Sequence, residues 1–105
     1  MLALLEEARR ARLAISVTAP VVSQTWRDGR VQARLASFLK QSIVEVMPFG
    51  ATDARAVGEL ATMCKHTDVV DVHVVLQALR REQTVVTSDP DDIRKVSPRI
   101  AIVRI

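Results

Sequence analysis

The chain has 105 residues, 49% of them hydrophobic and 26% charged, a balance that fits one folded domain spanning 1–105 rather than a disordered chain. Two Phe, one Trp and no Tyr leave no row of aromatics for a run of stacked bases. A single cysteine, Cys64, excludes an intramolecular disulfide and a cysteine-built zinc site, and it reads as a small buried hydrophobe.

The net charge of +3 is uneven. Through Lys40 there are seven Lys or Arg against three acids, which is +4; the remainder has eight against nine, which is −1. A basic half beside an acidic cluster suits a polyanion held against an acid-bound cation, and equally a solvated Arg-rich helix face. The longest stretch without charge, residues 13–26, contains Pro20 and several polar residues and is too short to span a bilayer. No leader is evident, since Glu6 and Glu7 follow the first leucines at once. The expected location is the cytoplasm.

In chain order, residues 2–11 put Leu2, Leu4, Leu5 and Ala8 on one side, which predicts an amphipathic helix. Residues 13–17 read as a strand. Thr18 and Pro20 open a helix carrying Val21, Val22 and Trp26 that stops near Asp28 and Gly29. A third helix, over 30–40, turns Val31, Leu35, Phe38 and Leu39 inward. A second strand covers 43–47, and Thr52 or Asp53 caps a helix over 54–64. Asp68 caps the next helix, to Arg81, which is almost wholly apolar up to Leu79 and so is expected to be buried against a sheet. Residues 84–87 form a third strand, 89–96 a short helix, and 101–105 a last strand. Strands alternating with helices predict a parallel sheet covered by helices, with ligands at the carboxyl ends of the strands, where Thr87-Ser88-Asp89 lies.

The acids fall in two groups, Asp68 with Asp71 and Asp89 with Asp91 and Asp92. Each group admits a capping role, because carboxylates are stabilised by the free N–H groups at helix starts. Together they exceed what two caps need, and like charges this close repel unless a cation neutralises them. Asp71 and Asp89 converging at one strand end would suit Mg²⁺ or Mn²⁺, hard ions that prefer oxygen. The spacing leaves both roles open. His66 and His73 are seven apart, too far for a shared metal, and His73 reads as a satisfied core histidine.

The stretch DVVDVHVVLQALRREQTVVTSDPDDI, residues 68–93, resembles the C-terminal half of PIN domains, the small nucleases typified by VapC-like toxins of bacterial toxin–antitoxin pairs. APVVSQTWRDGRVQARLASFLK, residues 19–40, resembles the segment after their second strand. The resemblance implies a three-layer α/β/α sandwich with a parallel sheet, and Mg²⁺- or Mn²⁺-dependent hydrolysis of RNA phosphodiesters. It assigns catalysis to Asp71 and Asp89, metal binding to Asp71, Asp89 and Asp92, and RNA contacts to Gln24, Arg27, Arg30 and Thr87. It also implies a cognate antitoxin protein, a homodimer and no membrane. The chain departs from the family at two places. Its sequence starts after the family's central first strand and that strand's aspartate, so it reads as an N-terminally short member. Gln24 stands where many members carry a glutamate. Both departures favour the alternative that the chain is a degenerate module binding antitoxin or RNA without catalysis.

Overall fold

The structure, a computed structural model, describes residues 2–105, with side chains from residue 3 onward; Leu2 as an inward-facing residue lies outside the described side chains. The chain packs as two compact units that meet in sequence between Pro48 and Phe49. Both are mixed α/β, and all strands are short and parallel.

The first unit contains α1 (Leu2–Ala11), β1 (Ile15–Thr18), α2 (Ala19–Trp26), α3 (Gln32–Leu39) and β2 (Val44–Met47). Its core is small. Leu5 and Ala8, three apart on α1, and Leu35 on α3 are its buried apolar residues. β1 pairs with β2 in parallel, Ile15 opposite Val44 and Thr18 opposite Met47. α2 starts directly after Thr18, with Pro20 in the first turn, where its missing N–H costs nothing. α3 begins two residues later than expected because 27–31 form a turn. In that turn the Asp28 carboxylate accepts from the Arg30 N–H at 3.1 Å and the Val31 N–H reaches the Asp28 carbonyl at 3.0 Å.

The second unit contains α4 (Ala51–Cys64), α5 (Val69–Arg81), β3 (Val85–Thr87), α6 (Pro90–Val96) and β4 (Ile102–Arg104). β3 pairs with β4 in parallel, Val85 opposite Ile102. Val57 of α4, Val72, Val75 and Ala78 of α5, Val85 of β3, and Ile93 and Val96 of α6 form one buried cluster. The i, i+3 spacing of the α5 members lays them along one stripe. Cys64 is half-buried against this cluster, as a small apolar residue would be.

Three expectations are corrected here. The single sheet is replaced by two separate two-stranded ladders: β1 pairs only with β2 and β3 only with β4, and no other described strand joins them. α4 starts at Ala51 behind Gly50, so neither Thr52 nor Asp53 is its cap; Asp53 is drawn into its first turn by partners on α5. α5 is not buried all round, since Val69 and Leu79 are 51% and 50% exposed at its two ends. No described helix is long and apolar enough to cross a membrane.

Three helices end alike. Arg12, Lys65 and Glu82 take φ of 56°, 56° and 53°, the left-handed region, just past α1, α4 and α5. The N–H that follows each reaches back into the last turn, Leu13 to Ala8 at 2.9 Å, His66 to Ala61 at 3.2 Å and Gln83 to Ala78 at 2.9 Å. Glycine is the residue this conformation favours, and none of the three positions has one. Glu82→Gly is therefore expected to stabilise the protein by about 0.5–1 kcal/mol, read as a higher urea midpoint at unchanged slope; a lower midpoint would contradict it.

Candidate functional site

The two acidic groups lie at the starts of α5 and α6, and the structure gives their members different work. Asp68 is the cap of α5: its Oδ1 accepts from the Val70 N–H at 2.9 Å and the Asp71 N–H at 3.5 Å. Asp71, at the third helical position, does not complete a capping box. Its Oδ2 meets the His66 ring at Nε2, 3.2 Å away across the turn between α4 and α5.

Asp89 follows the carboxyl end of β3, the position expected for a ligand site in a parallel sheet. The Thr87 hydroxyl accepts from its N–H at 3.0 Å, which fixes the turn into α6. The Asp89 side chain makes no capping bond to α6, although it stands at the cap position. Interaction with the Asp92 side chain, then burial and the Asp92 charge, push the Asp89 carboxyl above its ordinary value of 3.8, against the opposing pull of the Asp92 backbone N–H. Asp92 moves the other way, held down by the bond from Asp89 and by Lys95, whose Nζ is 3.3 Å from Oδ1. Asp91 is exposed, with Arg94 at 3.8 Å.

His66 with Asp71 stands at the start of α5, and Asp89 with Asp92 stands just past β3 and at the start of α6. As placed, no group of three or more His, Cys, Asp or Glu side chains among the described residues stands in metal-holding geometry. The donor set is oxygen-rich, as Mg²⁺ or Mn²⁺ requires. Gln24, Arg27 and Arg30 belong to the first unit, where all three are exposed. Thr87, half-buried, belongs to the second.

A second polar cluster has a structural role. Asp53 of α4 accepts from Arg80 at 2.6 Å on Oδ1 and from Gln77 at 2.8 Å on Oδ2, with His73 Nε2 at 3.2 Å from Oδ2. Gln77 Nε2 and His73 Nε2 are 3.2 Å apart. Two nitrogens converging on one carboxylate oxygen are accommodated when both donate, so His73 carries its proton on Nε2. Its Nδ1 is then a buried acceptor without a partner among the described residues, beneath the Phe49 ring at 4.6 Å between centroids. The core-histidine reading is right for burial and half right for satisfaction. The Arg80 bond first, and the His73 bond second, hold the Asp53 carboxyl below its ordinary value of 3.8. A depressed carboxylate adds stability that is complete above that value and lost as pH falls through the lower folded one. The melting advantage of the wild type over Asp53→Asn is expected to stay constant from about pH 6 to about pH 4 and to shrink below it. An advantage undiminished at about pH 3 would contradict this role.

Both organising partners are invisible to helical spacing. The neighbour of His66 is Asp71, five residues on across a turn, and the partners of Asp53 lie 20 to 27 residues away. No family model, curated protein or solved structure matches this chain.

Proposed function

We propose that the chain is a divalent-cation-dependent ribonuclease of the PIN, VapC-like kind, with Asp71, Asp89 and Asp92 as its cation-holding residues. The observation that carries this reading is the apposition of the Asp89 carboxylate to a second carboxylate, Asp92, just past the carboxyl end of β3. Two like charges this close cost stability, and a cation drawn to the pair relieves that cost. Bound Mg²⁺ or Mn²⁺ supplies Lewis acidity toward a phosphodiester and a more acidic water. The chain's own residues do the rest. Thr87 fixes the backbone at Asp89. His66, bonded to Asp71, orients that carboxylate. Arg27 and Arg30 offer guanidinium groups to backbone phosphates, and Gln24 a neutral amide. In the reaction a water oxygen attacks phosphorus, the bond to the departing ribose oxygen breaks, and that oxygen takes up a proton. A homodimer and an antitoxin partner belong to the same proposal.

A second reading, a module that binds RNA or antitoxin without chemistry, is favoured by the exposed amide of Gln24, a weaker ligand for a hard cation than a carboxylate. One assay separates the two. Incubated with single-stranded RNA and Mg²⁺, the purified chain is expected to yield fragments, and excess EDTA to stop it. Binding without fragments at any Mg²⁺ or Mn²⁺ concentration would leave the second reading.

A further inference from the structure

Trp26 is the chain's one tryptophan. It ends α2 and is 42% exposed, and no residue of α2 is buried. Burial commonly claims this side chain, whose large apolar face is costly to leave in water. The segment that follows is basic and ordered. Arg27 and Arg30 are exposed, with the Arg30 side chain 91% accessible. Asp28 is the one acid between them, and its Oδ1 accepts both from the Arg30 backbone N–H at 3.1 Å and from the Arg30 guanidinium at Nε, 3.4 Å away. A phosphate therefore meets an Arg30 whose Nε is already paired and whose side chain is otherwise open to solvent. The turn is pinned at both ends, the Asp28 N–H on the Thr25 carbonyl at 3.2 Å and Gln32 Nε2 on the Trp26 carbonyl at 2.7 Å. Gly29 has nothing within 4 Å of the place a Cβ would occupy, so the space above the turn is open. Arg34, also exposed, extends the positive charge into α3.

We infer that Trp26 with Arg27 and Arg30 forms a docking surface for single-stranded RNA, one base stacked on the indole and the flanking phosphates held by the two guanidinium groups. A flat π surface beside fixed positive charge matches a strand whose base faces are free. A duplex keeps those faces stacked inside the helix and offers only its phosphates. The choice of RNA as the polymer rests on the ribonuclease reading; the surface itself rests on the geometry of α2 and its turn. It adds to that reading a stacking residue, Trp26, beside the two arginines.

The test is binding of the full chain to a fluorescein-labelled single-stranded decaribonucleotide in EDTA, where no metal-dependent cleavage occurs, beside a duplex of the same length. The single strand is expected to bind more tightly than the duplex and to quench the Trp26 emission to saturation. Trp26→Leu is expected to weaken binding at least about fivefold, and Trp26→Phe, which keeps a stacking face and guards against misfolding, to stay within about twofold of wild type. Arg27→Ala with Arg30→Ala is expected to lower the slope of log affinity against log salt by about 1.4. Equal binding by wild type and Trp26→Leu would overturn the inference, as would equal binding of strand and duplex. So would an emission change that follows protein concentration without RNA, which would mean the indole meets a second copy instead. The outcomes are independent of catalysis: tight, Trp26-dependent binding by a chain that never cuts RNA removes the ribonuclease reading and leaves this surface standing, whereas cutting unaffected by Trp26→Leu binding does the reverse.

Discussion

Replacing Asp89 by Ala is expected to reduce Mg²⁺-dependent RNA cleavage at least about a hundredfold and to leave the melting temperature unchanged or higher. The first half follows from the proposed role: losing a cation-holding carboxylate forfeits several kcal/mol of stabilisation of developing charge, and each 1.4 kcal/mol is about tenfold in rate. The second half follows from the geometry. The Asp89 side chain makes no capping bond, and Asp92 pushes its carboxyl up. A raised folded value means stability that is present at low pH and lost as pH rises through it, so at neutral pH this carboxylate works against the fold. Asp68→Ala supplies the contrast. That carboxylate accepts two backbone N–H bonds at the start of α5, so its loss is expected to cost about 0.5–2 kcal/mol. Cleavage assays on Asp89→Ala and Asp71→Asn, with urea melts of all three variants, read both axes. An Asp89→Ala protein that melts lower and still cuts RNA would return Asp89 to a purely structural role.

The largest effect on stability is expected at Ile93. It lies on α6, is 3% exposed, and belongs to the cluster that includes Val57, Val72, Val75 and Val85. α6 has seven residues, too few to hold a helix in water by itself, so it stays helical because Ile93 and Val96 are anchored in that cluster. Ile93→Ala removes those contacts and leaves a cavity, at a cost of about 2–5 kcal/mol, against a total of about 5–15 kcal/mol for a protein of this size. Because α6 follows Asp89 and carries Asp92, the same substitution is expected to weaken cation binding in parallel with stability. A urea midpoint within error of wild type would show that α6 is held by something other than this core.

The alternation of elements was legible because the second unit keeps its patterns clean. Val72, Val75 and Ala78 repeat at helical spacing, and Thr84-Val-Val-Thr87 is short and β-branched. The cap at Asp68 was legible for the same reason: an acid directly before an apolar run has one dominant use. Asp53 was harder. Locally it looks like a cap, and only the folding of α4 against α5 brings His73, Gln77 and Arg80 to it. His66 was harder still, because helical spacing from His73 hides a neighbour reached across a turn. The division of the four strands into two ladders was not legible at all. Parallel pairing is set by crossovers and long-range packing, and a run such as Ile43-Val44-Glu45-Val46-Met47 carries no mark of which strand it will join.

The central claim is that the acids at the ends of α5 and β3 hold a divalent cation. Titration of the isotopically labelled chain with Mn²⁺, followed by paramagnetic broadening of amide signals, tests it most directly. The account predicts saturable broadening centred on residues 66–71 and 87–93, competed away by Mg²⁺ and lost in Asp89→Ala. Broadening elsewhere, or none at millimolar Mn²⁺, would contradict it.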